Sequence, residues 1–203
     1  MTYYGQFNTD YYIAEYFPPN YVGTCLDVGM GEPINNNNTY HFEQKGWECV
    51  CVEPNPNYCT QAVNVRKKVE NIACGNVNAD DIDFEVFTIE GTNQSAISSL
   101  RRDNRLVLSH LHLINRIDKI QVKVRTLDYV LEQNPQITSI DFVSIDTEDT
   151  ELDVLKGFDL KRWKPKLLVI ENNYDEPHLA TYLKDFGYIR DKRIEVNDFY
   201  ILQ

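Results

Sequence analysis

Basic residues are scarce in this sequence, and it lacks the long apolar runs of membrane and secreted proteins. The 203 residues include 20 Lys and Arg but 31 Asp and Glu, which gives a formal net charge of −11 at pH 7. A chain this acidic repels nucleic-acid phosphates and anionic lipids, so we expect neither nucleic acid nor a membrane as a partner. No apolar run approaches the ~20 residues that cross a bilayer, and residues 1–6 lack the features of a signal peptide. These absences favour a cytoplasmic location.

Paired cysteine motifs are also missing. The cysteines number five, and no two of them form a C-x-x-C pair. They lie in or beside apolar, strand-like segments, at Cys25, Cys49, Cys51, Cys59 and Cys74. An odd count without metal-ligand spacing predicts buried, reduced thiols rather than disulfides or a zinc site.

Linkers rich in Gly or Ser and internal repeats are absent as well. With 42% hydrophobic and 25% charged residues, the chain has the composition of a globular protein. A length of 203 residues suits one α/β domain with a buried core and is short for two enzymatic domains. We therefore predict a single domain.

Short apolar runs alternate with longer amphipathic stretches, which is typical of βαβ units around a mainly parallel sheet. Buried strands are predicted at residues 24–28, 48–52, 69–73, 139–145 and 166–171. Helices are predicted at residues 39–45, 58–66, 127–133, 151–158 and 177–186. Residues 81–89 and 121–125 alternate polar and apolar side chains, which indicates half-exposed strands. Near the C-terminus, residues 188–196 and 199–202 flank Asn197-Asp198, which predicts an antiparallel hairpin with its turn at this pair.

A glycine-rich turn follows the first predicted strand, in the segment DVGMGEPI from residue 27 to residue 34. At the carboxyl end of a parallel strand, such a turn lets a nucleotide-like ligand approach the backbone through Gly29 and Gly31. A dinucleotide fingerprint would need a third glycine where Ile34 stands, and Glu32 would repel a pyrophosphate. S-adenosylmethionine carries a sulfonium and an ammonium but no phosphate, so the acidic loop and Asp27 favour that cofactor.

Four further positions near this turn are candidate cofactor contacts. Glu53 ends the second predicted strand, where an acidic side chain usually accepts hydrogen bonds from the two ribose hydroxyls. Asn38 and Thr39 begin the first predicted helix, where they either cap it or let its backbone amides meet the methionine carboxylate. Ala73, at the end of the third predicted strand, is placed to pack near the adenine.

Together with other segments, these motifs make the sequence resemble the FkbM family of S-adenosylmethionine-dependent methyltransferases. The resemblance extends over nearly the whole chain. The matching segments include GQF at 5–7, LDVG at 26–29, NTY at 38–40, VEPNP at 52–56, RTLD at 125–128, IDTEDTEL at 145–152 and VIEN at 169–172. The resemblance implies a Rossmann-like class I methyltransferase with a mainly parallel seven-stranded sheet and a C-terminal antiparallel hairpin. The sequence departs from the family at Asp149, where glycine is usual, and at Glu32-Pro33, which replaces a smaller loop end.

The same resemblance implies a reaction and a layout. Methyl is transferred to oxygen, and we expect the acceptor to be a glycan hydroxyl, best a 6-deoxyhexose such as rhamnose at its 2- or 3-hydroxyl. Residues 1–22 would form an N-terminal arm and helix over the cofactor, with Gln6 contacting it, and residues 23–203 the catalytic sheet domain. The resemblance also raises the hypothesis that the chain is one domain of a larger glycan-assembly protein of a large DNA virus, located in the host cytoplasm.

Acidic side chains follow the fourth and fifth predicted strands, with Asp146 and Glu148 after one and Glu171 and Asn172 at the end of the next. The carboxyl ends of parallel strands meet at one edge, where open α/β sheets place their chemistry. Asp146, which we also count among the cofactor contacts, would act as general base for the acceptor hydroxyl, with Glu148 and Glu171 beside it. Alternatively, Asp146, Glu171 and Asn172 would hold a divalent cation such as magnesium that acidifies the hydroxyl.

Other interpretations of the same residues stay open. Each acid near residue 146 is also a favoured charge at a helix N-terminus. His110 and His112 lie in a segment that would cover the acceptor site, where a solvated or capping role is favoured over that of a base. A nicotinamide-dependent oxidoreductase on the same topology is disfavoured by the altered glycine turn. A non-catalytic scaffold module is the remaining alternative.

Overall fold

The computed structural model describes residues 2–89, 98, 100, 105, 108 and 111–203. Its strands are, in chain order, β1 (Thr24–Val28), β2 (Glu48–Val52), β3 (Val69–Glu70), β4 (Ala73–Cys74), β5 (Ala79–Ile89), β6 (Ile114–Arg125), β7 (Phe142–Ile145), β8 (Leu167–Glu171), β9 (Tyr188–Ile194) and β10 (Asn197–Leu202). Its α-helices are α1 (Thr9–Ala14), α2 (Tyr40–Gln44), α3 (Pro56–Ala62), α4 (Leu127–Glu132), α5 (Glu151–Lys156), α6 (Leu160–Trp163) and α7 (His178–Lys184). Over these residues, no helix has the length and apolar character needed to span a bilayer.

The larger sheet has seven strands in the order β3-β2-β1-β7-β8-β10-β9. In this sheet, β3, β2, β1, β7 and β8 run parallel to one another. Strand β10 is antiparallel to its two neighbours, β8 and β9. This arrangement confirms the predicted fold class, a mainly parallel α/β sheet closed by a C-terminal hairpin. A separate three-stranded sheet, in the order β4-β6-β5, contains the half-exposed strands predicted at 81–89 and 121–125.

Successive side chains of the large sheet pack into two hydrophobic cores on opposite faces, as the two-residue period of a strand requires. Leu26 and Val143 face the core formed with helices α4, α5 and α7. Cys25 and Phe142 face the other core, which includes side chains of α1 and α2. Because both faces are covered, the central strands are buried along almost their whole length.

The C-terminal turn lies two residues earlier than the sequence predicted. Asn197 and Asp198 belong to β10, and the turn is at Glu195-Val196, where Glu195 has φ +52°. The Asp198 carboxylate is fully buried and accepts hydrogen bonds from Arg193 Nη1 at 2.8 Å and Tyr200 Oη at 3.1 Å. Asn and Asp are common in turns, but the side chains of Asn197 and Asp198 form hydrogen bonds in the interior instead.

The predicted third strand at 69–73 is also wrong, because the chain there divides into β3 and β4 of different sheets. Between them, Asn71 Nδ2 donates to the backbone oxygens of Glu53 and Pro54, at 2.9 and 3.1 Å. These bonds hold the chain against the end of β2, so that it leaves the large sheet after two residues. The cysteine thiols are free, and all are buried except Cys59, which is half-buried.

Candidate active site

A cavity of about 360 Å³ opens at the carboxyl ends of the central parallel strands. It is lined by almost every residue that the sequence predicted for cofactor binding, namely Gln6, Asp27, Gly29, Gly31, Asn38, Glu53, Ala73 and Asp146. The predicted catalytic acids Glu148 and Glu171 line it too. Thr39 does not line the cavity and lies fully buried behind it. The site is therefore at the edge of the sheet where doubly wound folds bind their ligands.

The glycine turn, residues 29–31, forms the floor of this cavity. Gly29 has φ +81°, and a Cβ atom there would lie 1.7 Å from the backbone oxygen of Asp146. The turn continues the sheet, since Gly29 N donates to Val52 O at 2.9 Å and Asp146 N donates to Val28 O at the same distance. Glycine is thus required at position 29 by both its φ and the close approach of the chain after β7.

Glu53 closes the cavity at the end of β2. Its carboxylate is buried and accepts backbone hydrogen bonds from Gly31 N at 2.8 Å and from Asn55 N at 2.7 Å. Burial raises the pKa of Glu53 to about 7, and the two backbone donors oppose that rise. Each carboxylate oxygen keeps lone-pair capacity beyond these bonds, so Glu53 offers fixed hydrogen-bond acceptors to a ligand in the cavity.

Asp27 is held in place from behind by the start of helix α2. Its Oδ2 accepts hydrogen bonds from Asn37 Nδ2 at 2.9 Å and from Thr39 Oγ1 at 2.7 Å. Thr39 therefore positions Asp27 and does not reach the cavity. Asn38 does reach it, and its Nδ2 donates to Ser144 Oγ at 3.1 Å.

Arg66 supports this site from behind the cavity, and no motif in the sequence points to it. Its buried guanidinium forms an ion pair with Glu43 and lies 3.7 Å from Asp27 Oδ2. It also donates to Thr39 Oγ1 at 2.7 Å and to Pro33 O at 3.1 Å. One side chain thus links Asp27, helix α2 and the loop that follows the glycine turn. No local motif could have identified it, because all these partners are more than 20 residues away in sequence.

Three carboxylates, which we call the acid cluster, line the cavity together. Asp146, Glu148 and Glu171 each place a carboxylate oxygen within 4.8 Å of the others. Desolvation raises the pKa of Asp146 to about 6, and a hydrogen bond with Glu171 partly opposes the rise. Burial and the charges of Asp146 and Glu148 raise the pKa of Glu171 well above its ordinary value. The hydrogen bond between the two carboxyl groups lowers the pKa of Asp146 and raises that of Glu171.

A tight loop after β7 brings Glu148 into this cluster. Glu148 has φ +56° and Asp149 has φ +72°, a backbone region that favours glycine. The glycine that is usual at position 149 in the family pattern is explained by this φ. In this chain the position is occupied by Asp149, a residue type that tolerates the left-handed region better than most.

The structure does not bring the Asn172 side chain into the acid cluster. Its Nδ2 donates to Asp198 Oδ2 at 2.8 Å and to Glu176 O at 3.0 Å, and its Oδ1 accepts from Glu176 N at 3.0 Å. The amide is thus fully used in fixing the loop after β8. The third side chain that places an oxygen beside those of Asp146 and Glu171 is therefore Glu148, and not Asn172.

The N-terminal segment reaches the opening of the cavity, where Gln6 and Phe7 line it. The segment is anchored by Tyr4 N, which donates to Asp10 Oδ2 at 2.6 Å, and by Tyr3, which stacks on His41 at 4.4 Å between ring centroids. Of the two histidines that the sequence singled out, His112 is exposed, and His110 lies outside the described residues.

Comparison with known proteins agrees with this geometry. Searches of curated proteins and of solved structures give no significant match. A family model for the methyltransferase FkbM domain matches residues 27–190, which run from Asp27 in β1 into the C-terminal hairpin. The match covers most of the chain and contains the glycine turn, Glu53 and the acid cluster. This protein therefore belongs to the FkbM methyltransferase family.

Proposed function

We propose that the protein transfers a methyl group from S-adenosylmethionine to a hydroxyl oxygen of a sugar in a glycan. The observation that carries the proposal is one cavity with two chemically different walls. The glycine turn and Glu53 form a wall suited to a nucleoside without phosphates. The acid cluster, which begins beside the glycine turn at Asp146, lines another part of the same cavity and is suited to removing a proton from an alcohol.

In this proposal, the cofactor has its adenine at one end of the cavity and its methionine part at the other. The adenine would pack on the apolar side, where Ala73, Cys74 and Phe84 line the wall. The two ribose hydroxyls would donate to the Glu53 carboxylate, as in other doubly wound nucleotide sites. The cationic methionine end would then lie toward Asp27 and Asp146, whose charges stabilise its sulfonium and ammonium.

Methyl transfer from a sulfonium is an in-line displacement. The acceptor oxygen attacks the methyl carbon, and the carbon–sulfur bond breaks with its electron pair going to sulfur. The hydroxyl proton passes to a carboxylate of the acid cluster. We assign this role to Asp146, which lines the cavity and follows the strand next to the glycine turn. Holding the acceptor behind the methyl group and taking its proton are the two contributions this site makes.

The acceptor class rests on the family resemblance together with the chemistry of the acid cluster. A sugar hydroxyl is a weak acid and needs a nearby base, which three carboxylates at one wall supply. Among sugars, we propose a 6-deoxyhexose such as rhamnose, methylated at its 2- or 3-hydroxyl.

Incubation with S-adenosylmethionine labelled in its methyl group tests this function. The acceptors are a panel of glycosides, with rhamnosides and other 6-deoxyhexosides beside the matching hexosides. We expect label in an ether on the 6-deoxyhexose, located by mass-spectrometric fragmentation, and no label on a rhamnoside already methylated at both its 2- and 3-hydroxyls. Amine and thiol acceptors are tested in parallel, and label on one of them, with none on any glycoside, would overturn the sugar assignment.

A further inference from the structure

We propose that Asp146, Glu148 and Glu171 together bind one hard divalent cation, of the magnesium or manganese type, at the wall facing the acceptor. The inference deepens the proposed function and rests on it. It also replaces the ligand set that the sequence predicted, because Asn172 directs its amide to Glu176 and Asp198.

The first observation is the composition of the cluster. Its three carboxylates offer oxygen atoms within 4.8 Å of one another, a span that one ion can bridge. Across the described residues, neither Asp146 nor Glu171 forms an ion pair with Lys, Arg or His. The buried guanidinium of Arg66 is paired with Glu43 and lies beside Asp27 instead. Among the described residues, the carboxyl groups of Asp146 and Glu171 are therefore left without a cationic side chain beside them.

The second observation concerns one oxygen of Glu171. This residue is only 8% exposed, and its Oε2 atom has no hydrogen-bond partner in the described part of the chain. A buried carboxylate oxygen without a partner costs free energy, because it has lost its hydrogen bonds to water. Glu171 also lines the cofactor cavity, so a cation held within the acid cluster would supply this oxygen with a partner.

The ligand chemistry favours a hard cation over a softer metal. The cluster offers carboxylate oxygens only, without imidazole or thiolate, which suits magnesium, manganese or calcium rather than zinc or copper. Three protein ligands leave coordination positions for water and for an acceptor hydroxyl. A cation so bound would hold that hydroxyl and make its proton easier to remove, and a carboxylate oxygen not bound to the cation would take the proton.

Titration of Mn²⁺ alone into the full chain, followed by electron paramagnetic resonance, tests the site without any cofactor. We expect loss of the free-ion signal at one equivalent per chain. Glu171→Gln and Glu148→Gln should each weaken binding at least about tenfold, since each removes one anionic ligand. Glu148 lies half-buried in a loop, where a substitution disturbs the fold less than at the buried Glu171. If Glu171→Gln does not fold, Glu148→Gln still tests the site. Glu32→Gln, at the cofactor side of the same cavity, should bind Mn²⁺ like the parent.

Binding of S-adenosylhomocysteine, measured in parallel, separates this inference from the proposed function. If Mn²⁺ fails to bind while the nucleoside binds and methyl transfer continues in chelator, the cation site is wrong and the methyltransferase assignment stands. Mn²⁺ binding that both cluster variants leave unchanged also overturns the site. If neither nucleoside binding nor methyl transfer occurs, the proposed function fails, whatever the Mn²⁺ result.

Discussion

Replacing Asp146 with asparagine should slow methyl transfer by about 10²- to 10⁴-fold, the range attributed to a general base. Asparagine keeps the size of the side chain, and the backbone bond from residue 146 to Val28 O at 2.9 Å does not depend on the side chain. What disappears is the charge and the ability to accept the acceptor's proton. We therefore expect a fall in kcat, with the affinity for S-adenosylhomocysteine changed only a few-fold.

Asp141→Asn is the matched control for this substitution. Asp141 precedes β7 at the end opposite Asp146, where it accepts from Thr24 N at 3.0 Å and pairs with Lys166 at 2.7 Å. The control should lower stability and leave turnover at low temperature unchanged. If Asp146→Asn methylates at the parent rate, or loses activity only in proportion to its folded fraction, Asp146 has no part in the chemistry.

Replacing Arg66 with methionine should destabilise the fold by about 3–5 kcal/mol, the usual result of removing one partner of a buried ion pair. The side chains of Arg66, Asp27 and Glu43 are at most 6% exposed, so the carboxylates would be left buried without their cation. For a chain of this length, such a loss lowers the melting temperature by roughly 10 °C. Affinity for S-adenosylhomocysteine should fall as well, because Arg66 also holds Thr39 and the loop at Pro33.

The double variant Arg66→Met with Glu43→Gln separates charge from packing. Removing the charge of Glu43 relieves part of the penalty, so the double variant should be more stable than the sum of the single changes predicts. Thermal unfolding of the four proteins, followed by circular dichroism, gives the comparison. Strict additivity, or a loss below about 1 kcal/mol for Arg66→Met, would show that the pair is not a buried structural unit.

Much of the fold could be predicted because its central strands are buried on both faces. Strands β1 and β2 have the predicted bounds, since each is an apolar run between polar residues. The hairpin turn was misplaced because Asn197 and Asp198 have turn-like chemistry. Their partners include Asn172, 26 residues before Asp198, and such a contact leaves no local signal in the sequence.

In the candidate site, too, residues placed by the sheet could be predicted from the sequence, and residues placed by distant contacts could not. Gly29, Glu53 and Asp146 could be predicted because each follows a strand of a parallel sheet, and the topology brings such positions to one edge. Arg66 and Asn37 could not, because they act through contacts between elements. Asn172 was expected beside the acids from its position, but its own hydrogen bonds turn its amide away from them.

Calorimetric titration of S-adenosylhomocysteine into the intact chain reports most directly on whether the cavity between the glycine turn and Glu53 is a nucleoside site. We expect one bound molecule per chain, with no heat from NAD. Glu53→Gln should weaken binding by about 10- to 100-fold, since charge-assisted hydrogen bonds to the ribose would be lost. Glu48→Gln, at the exposed start of the same strand, should bind like the parent. Absence of binding, or equal affinity in the Glu53 variant, would contradict the assignment of this cavity to S-adenosylmethionine.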